Sequence, residues 1–536
     1  MVTMFQTNGE IFPGARWSGS EKRRVTSMSD LAEAAKNIRK PLFVLSEGSA
    51  LFVSHEGSVT CHEGPAIAAW APESRAERLG DPSFCEEYGI RYPYVGGSMA
   101  KGICSVETVS ALGRCGALGF FGAGGLSIPA ISDAVDRLLA EGRPFGANLI
   151  HNPSDYRAEK ETADLYLKKG LRLIEASAYI DLTPAVVKFA LKGVRRDESG
   201  KAARMNRIIA KASRIEVAEK FLSPARDSII DQLLSNGEIT AEEARIGREI
   251  PVACDVTAEA DSGGHTDNRP APALLSSFME LRSKMQKRSG ERLRIGFGGG
   301  IGTPAAAAAA FAAGSAYIVT GSVNQSCVES GVSDTAKEML AAASQADTAM
   351  APSADMFEIG AKVQVLKKGT MFAMRAQKLW SLYNSCSRIE DIPAKDLAMI
   401  EKSMLKCSIG ECWESTKRFF EKSAPEKIEK AEADPRFKMA LIFRSYLGQA
   451  AGWAVKGVPE RKIDFQIWTG PAIGAFNEWC KGTFMESHSG RRTDLTALNL
   501  LYGAAVLTRL SLLRQQGIDL FAETELKPAR NIAELL

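Results

Sequence analysis

Between Tyr92 and Ser322 the chain repeats one pattern eight times: a short apolar run bounded by glycine or proline, then an amphipathic stretch. The runs are YPYVGGSM (92–99), ALGFFGAG (117–124), PFGANLI (144–150), RLIEASA (172–178), RIIAKAS (207–213), ACDVTAEA (253–260), RIGFGGG (294–300) and AYIVTGS (316–322). Strands alternating with helices specify a parallel sheet, because parallel neighbours need a crossover between them. Eight such units in about 230 residues match the size of a (β/α)8 TIM barrel. An open doubly wound sheet would carry its glycine fingerprint after the first strand. Here the densest glycines, GFGGGIG (296–302), follow the seventh run, where a barrel builds a phosphate site.

The flanks read differently. Residues 1–90 form a small N-terminal segment in which PLFVLSEGSALFVS (41–54) predicts a hairpin turning at Glu47-Gly48, and AIAAWAP reads as a connector. The barrel is expected over 91–330. Between its fifth and sixth runs a long gap predicts two helices, the second opened by the capping box Thr240-x-x-Glu243. Beyond Val323 strand signals mostly stop and helical periodicity takes over, from SDTAKEMLAAASQAD to LTALNLLYGAAVLTRLSLLRQQG. Residues 331–536 are therefore expected to add a mainly α-helical C-terminal domain or lid, completing an α/β fold.

Composition narrows the function classes. Lys+Arg 67 against Asp+Glu 64 leaves a net charge of +3, too balanced for a chain whose main partner is nucleic acid. The 10 cysteines are scattered without a C-x-x-C pair, which points to reduced thiols, a cytoplasmic setting and no zinc site. The N-terminus lacks a basic segment followed by an apolar one, so no signal peptide is expected. Ile295–Val328 carries no charge, but its glycine, proline and alanine content argues for a buried strand, loop and helix, and no membrane span is expected.

Two loops invite chemistry. GFGGGIGTP (296–304) leaves a strand and enters a helix, so free N–H groups and a positive helix end would face a phosphate. Thr320-Gly321-Ser322 ends the next strand and supplies the second half of such a cradle. The alternative is a tight turn that needs glycine for backbone reasons alone. EADSGGHTDNRP (259–270) follows the sixth run and holds His265, one of five histidines, behind Gly263 and Gly264. A histidine at the C-terminal end of a barrel strand can give or take a proton near neutral pH, or merely pack and cap. Asn148 and Lys211 are polar residues inside apolar runs, costly in a barrel unless a ligand or partner satisfies them. For Lys211 an internal salt bridge to Glu175 or Glu259 is an equal alternative. His151-Asn152-Pro153 could orient a ligand, or simply turn. Gly96–Ala100 lacks the final glycine of a hydrolase nucleophile elbow.

The ordered motifs GGSMAKGI, GALGFFGAGGL, PFGANLIHNP, IEASAYIDLTPA, NRIIAKASR, TAEADSGGHTDNRP, GGGIGTPAAAAAAFAAGSAYIVTGSVNQ, ADMFEIGAKVQVLKKGTMFAMRAQKLW, FRSYLGQAAGWA and DFQIWTGPAIGAFNEW resemble the PfaD family. These are the trans-acting enoyl reductases of polyunsaturated-fatty-acid synthases and trans-acyltransferase polyketide synthases. The likeness runs from about Phe12 to the C-terminus, and the barrel alone is similar to the broader nitronate monooxygenase group. The resemblance implies FMN at the barrel mouth, NADPH or NADH as hydride donor, and an enoyl thioester on an acyl carrier protein as substrate. Nitronate oxidation is the alternative. It also implies that Ser98, Met99 and Ala100 line the flavin ring and that Asn148 and Lys211 hydrogen-bond the ring or ribityl chain. Glu259 and Ala260 would lead into the Gly263-Gly264-His265 loop over the substrate side, with His265 as acid or base. Gly299, Gly300, Gly321 and Ser322 would hold the FMN phosphate. Cys254, where the family has Asp, and Phe297, where a smaller residue is usual, depart from its pattern. The helical tail is expected to dock the carrier, with Lys367, Lys368, Arg375 and Lys378 as its basic face, and a homodimer is left open.

Overall fold

The computed structural model describes residue 12 and residues 14–151 and 156–536, apart from the side chains of residues 422 and 423. Eight parallel strands close into a barrel: β1 (Tyr94–Gly96), β2 (Leu118–Phe121), β3 (Gly146–Ile150), β4 (Leu173–Ser177), β5 (Arg207–Ala212), β6 (Asp255–Glu259), β7 (Arg294–Gly298) and β8 (Ile318–Thr320). Each lies within one of the eight apolar runs. Neighbours in sequence are neighbours in the barrel, and β8 closes on β1 through Ile318↔Tyr94, Val319↔Val95 and Thr320↔Gly96. Between β5 and β6 the chain makes three helices, Ile215–Phe221, Asp227–Ser235 and Ala241–Gly247, rather than the expected two. Pro224, which lacks a backbone donor, stands between the first and second. The third begins with the expected capping box, Thr240 and Glu243 each accepting a hydrogen bond from the other's backbone N–H.

The N-terminal end of the barrel is locked by charge. Arg294 donates to Asp255 through Nε at 2.6 Å and Nη2 at 2.8 Å, and the Tyr88 hydroxyl donates to the same carboxylate at 2.7 Å. The ion pair is almost wholly buried, so removing one partner would leave an uncompensated charge.

Residues before the barrel form a six-stranded antiparallel sheet. Its central hairpin, Leu42–Glu47 with Ala50–Ser54, turns through Gly48 at φ +58°. Ala66–Ala71, read as a connector, is a strand of this sheet paired to Leu42–Glu47. Alanine is a poor strand former, and only the cross-strand neighbours hold this segment extended.

The chain beyond β8 is not one lid. Helix α1 (Val106–Cys115) and helix α2 (Pro304–Ala312) belong to the barrel's outer ring, and the last long helix of the chain packs across both. Between β8 and that helix comes a cap. Its strands β9 (Thr348–Pro352) and β10 (Lys362–Leu366) form an antiparallel pair that the helical periodicity did not reveal. Helices α3 (Phe372–Ser385), α4 (Ile409–Ser423) and α5 (Pro435–Lys456) then build a second core around Phe357, Phe372, Phe443 and Tyr446. The long helix that returns to the barrel wall is α6 (Thr493–Gln515). A Cβ on its Gly503 would lie 2.6 Å from Pro304, so glycine permits the close crossing with α2. Helix α6 is long and apolar enough to cross a membrane by length and composition, yet 72% of that window is buried inside the protein. Its buried Arg509 donates to the carbonyls of Asn37 (2.5 Å), Lys40 (2.6 Å) and Pro72 (2.9 Å), tying the two ends of the chain together. Burial lowers its pKa to about 10.

Candidate active site

A cavity of about 720 Å³ opens where the C-terminal ends of the barrel strands meet the cap. The expected residues converge on it. Ser98, Met99 and Ala100 come from the loop after β1, Asn148 from β3, Lys211 from β5, and Glu259 with Gly263, Gly264 and His265 from β6 and its loop. Gly299 and Gly300 follow β7, and Gly321 and Ser322 follow β8. Ala260 does not join them. It is 1% exposed, and its N–H donates to the Gly298 carbonyl at 2.9 Å. Successive strand residues face opposite ways, so with Glu259 turned to the cavity its neighbour turns away.

The floor is a network of charges. Lys211 Nζ stands 3.4 Å from Glu259 Oε1 and 3.7 Å from Glu175 Oε2. Burial opposes its charge, but the two carboxylates outweigh burial and raise its pKa. Glu175 is fully buried. Desolvation pushes its pKa up, against the pull of Lys211. Its Oε2 accepts the Ser98 N–H at 2.9 Å and the Ser98 hydroxyl, while its Oε1 has no hydrogen-bond partner among the described residues. Asn148 Nδ2 donates to Ser177 Oγ at 2.6 Å and to the Glu175 carbonyl at 3.1 Å, which fixes the amide at the cavity wall. His151 also lines the cavity and pairs with Glu159 at 2.8 Å; Asn152-Pro153 lies outside the described residues.

The loop after β6 is bound to the cap as an added strand. Gly264, at φ +78°, pairs with Gln364, and His265 with Val363 of β10. Gln364 Nε2 donates to Asp261 Oδ1 at 2.6 Å and to the Ser262 carbonyl at 2.8 Å. His265 Nε2 lies 3.1 Å from Asp355 Oδ1, contributed by the turn between β9 and β10. Burial opposes protonation of the ring, but this carboxylate outweighs it and raises the His265 pKa. Asp355, desolvated yet hydrogen-bonded to His265, is lowered to about 2. Nothing in the periodicity of the sequence marks Asp355; only the fold brings it to His265. Glu175 was named only as a possible ion partner of Lys211, which it is, and its hold on Ser98 carried no sequence signal.

The glycine loops leave room beside them. Gly299 and Gly300 have φ of +90° and +79°. A Cβ on Gly300 would meet nothing within 4 Å, and one on Gly321 only Met99 Sδ at 4.0 Å. Segment 468–472 closes over these loops: the Gly470 N–H donates to Ser322 Oγ at 3.1 Å, and a Cβ on Gly302 would lie 2.2 Å from the Ala472 carbonyl oxygen. Three side-chain atoms of the lining, Ser262 Oγ, Gln325 Nε2 and Ser353 Oγ, are buried without a hydrogen-bond partner among the described residues. Buried polar atoms are nearly always satisfied, so these fit a ligand that carries several polar groups. Among the described residues no cluster could hold a metal ion.

Of the four residues expected to form a basic docking face, Arg375 is half-buried against the buried Asp464, Lys378 pairs with Asp396 at 2.9 Å, and Lys368 lies 3.6 Å from Asp347. Arg375 is therefore part of the cap's core. Of the four, only Lys367 stands exposed with an ammonium unengaged among the described residues.

Comparison with known proteins places these features. Residues 386–465, in the cap, match the family model of the [acyl-carrier-protein] S-malonyltransferase inserted helical domain. A polyunsaturated fatty acid synthase polypeptide of Thraustochytrium sp. is 47% identical over 460 residues, 83% of this chain and 30% of that protein. Polyketide biosynthesis protein PksE of Bacillus subtilis is 43% identical over 457 residues, 83% of this chain and 59% of that protein. The chain thus spans only about a third to three-fifths of the length of these relatives. The crystal structure of the enoyl reductase domain of MlnA, from the macrolactin biosynthesis cluster of Bacillus amyloliquefaciens, is 40% identical. It superposes with a TM-score of 0.79 over 82% of this chain and 100% of that one.

Proposed function

The chain belongs to the PfaD-type family of trans-acting enoyl reductases, and from that premise we propose that it reduces the α,β double bond of enoyl thioesters carried on acyl carrier protein, using FMN and NADPH or NADH. The observation that carries the reading is the cavity itself: its lining combines paired glycine loops, with open space beside Gly300 and Gly321, and His265 held by Asp355. Gly299, Gly300, Gly321 and Ser322 would hold the FMN phosphate through backbone N–H groups, as loops after the seventh and eighth strands do in barrels. Ser98, Met99, Ala100 and Asn148 would flank the ring. Bound FMN would supply two-electron hydride-transfer chemistry between the nicotinamide and the thioester.

The chain's own residues supply orientation and the proton. His265 faces the cavity, and Asp355 raises its pKa, which favours the protonated ring that would give a proton to Cα as the double bond is reduced. Hydride at Cβ and proton at Cα together saturate the bond, and NAD(P)H leaves as NAD(P)+. Lys211, fixed between Glu175 and Glu259, presents a constant positive charge in the floor. Nitronate oxidation on the same barrel would use His265 as a base; the Asp355 contact favours the acid form and hence the reductase.

The test is direct. Purified protein should show flavin absorbance and oxidise NADPH or NADH on addition of a crotonyl thioester, with saturated thioester as product. A colourless protein, or a yellow one that turns over a nitronate and leaves the thioester intact, would overturn the reading.

A further inference from the structure

The loop after β1 carries a cation that the chemistry above does not use. Lys101 lines the cavity and sits in the left-handed region, at φ +60°, where a residue other than glycine is strained. Its backbone is held there by the Lys101 N–H donating to the Gly124 carbonyl at 2.7 Å. Its ammonium makes no hydrogen bond and no ion pair among the described residues. A half-buried lysine without a carboxylate is uncommon, since burial of a charge is ordinarily compensated.

A second unpaired cation stands close by. The Gly331 N–H donates to the Ile103 carbonyl at 2.9 Å, which places segment 331–333 against the Lys101 loop. Ser333 Oγ donates to the Ala454 carbonyl at 2.7 Å, and a Cβ on Gly457 would lie 2.8 Å from Ser333 Cβ. The C-terminal end of α5 is thereby brought to the same rim, and with it Lys456, an exposed residue whose ammonium is also unpaired among the described residues. Burial lowers the Lys101 pKa, and the Lys456 charge lowers it further.

Helix α5 joins this rim to the cavity. Gly448 and Ala451 line the cavity, and a Cβ on Gly448 or Gly452 would meet nothing within 4 Å. Positions 448, 452 and 456 share a helix face. An open strip about 12 Å long, from the rise per residue, therefore runs from the reaction chamber to Lys456.

We propose that Lys101 and Lys456 form a phosphate-binding site at the cavity rim, for the phosphate of a ligand whose other end reaches the reaction chamber. The inference rests on the enoyl reductase reading, under which two such ligands exist: the phosphopantetheine arm that bears the thioester and the 2′-phosphate of NADPH. The open strip on α5 fits the arm, a slender chain that needs little width. Two unpaired ammonium groups brought to one rim repel until an anion lies between them, and a phosphate can accept hydrogen bonds from both.

The experiment compares crotonyl-pantetheine with crotonyl-4′-phosphopantetheine, and NADPH with NADH, in the full-length protein and in Lys101→Met and Lys456→Met. The unsubstituted protein should favour the phosphorylated thioester in KM, and Lys101→Met should lower that preference by roughly tenfold, the scale of one charge-assisted hydrogen bond. Lys456→Met, at an exposed helix position that should not disturb folding, should lower it less. If the NADPH-to-NADH preference falls instead, the site stands and its phosphate is the nucleotide's. If neither preference changes in either variant, the site does not exist. If Lys101→Met purifies without flavin, Lys101 holds the cofactor and the inference fails. Should a flavin-loaded protein reduce neither thioester, the reductase reading fails separately. Calorimetry with 4′-phosphopantetheine against pantetheine then still decides the phosphate site.

Discussion

His265 and Asp355 stand 90 positions apart in the chain, yet their side chains meet at 3.1 Å, where the loop after β6 runs antiparallel to β10. The pair joins barrel to cap and favours the protonated form of His265 at the cavity. Its pH window follows from the two shifts. The raised pKa of His265 makes its share of the pairing complete below the ordinary value of 6.5 and lost as pH rises through the raised one. The lowered pKa of Asp355 makes its share complete above the ordinary 3.8 and lost as pH falls toward about 2.

Asp355→Asn should accordingly move the alkaline decline of kcat/KM toward lower pH, while the flavin spectrum stays as it was. His265→Ala should leave flavin bound and reducible by NADPH but slow enoyl reduction by ~10²–10⁴, the usual worth of a general acid. A uniform loss across the pH range in Asp355→Asn would mean that Asp355 only holds the loop. Undiminished turnover in His265→Ala would assign the proton to another donor.

The proposed phosphate cradle is tested at Gly300. At φ +79° any side chain is strained, but the space beside Gly300 is open, so shape alone does not forbid one. Gly300→Ala and Gly300→Asp share a backbone penalty of about 1 kcal/mol and differ in charge. The alanine variant should purify with flavin and the aspartate variant without it, as judged by absorbance of the folded protein. Stoichiometric FMN in Gly300→Asp would place the phosphate elsewhere.

The barrel was legible because parallel strands buried on both faces read as continuous apolar runs between glycines and prolines, and all eight did so. The place of the glycine loops and His265 at the cavity was legible because the C-terminal strand ends of a barrel converge there. What escaped was held by contacts distant in sequence. TAMAP in β9 is short, alanine-rich and ends in proline; it is a strand only because β10 pairs with it. Asp355 carries no local signal at all. Ala260 is absent from the cavity lining because a motif names consecutive residues while a strand turns alternate ones inward. The tail's helices were visible from their period, but not that α6 would return to the barrel and leave 348–465 as the cap.

Arg375 separates a docking face from a core. Its guanidinium binds Asp464, donates to the Ser403 carbonyl at 2.9 Å, and shares that carboxylate with Arg461 at 3.3 Å and the Tyr446 hydroxyl at 2.7 Å. Asp464 is 0% exposed. Arg375→Ala would leave a buried carboxylate short of one of its two cations, which should destabilise the cap by about 3–5 kcal/mol. The expected result is an earlier denaturant transition and faster proteolysis within 348–465, with α6 and the barrel protected. Lys367→Glu, on an exposed side chain, should leave the transition within about 0.5 kcal/mol of its place. If the Lys367 surface receives an acidic carrier, that substitution should instead weaken association in a salt-dependent manner, because rim charges act mainly on the encounter rate. An Arg375→Ala protein with unchanged stability and a raised KM for carrier-borne substrate alone would return Arg375 to the docking face.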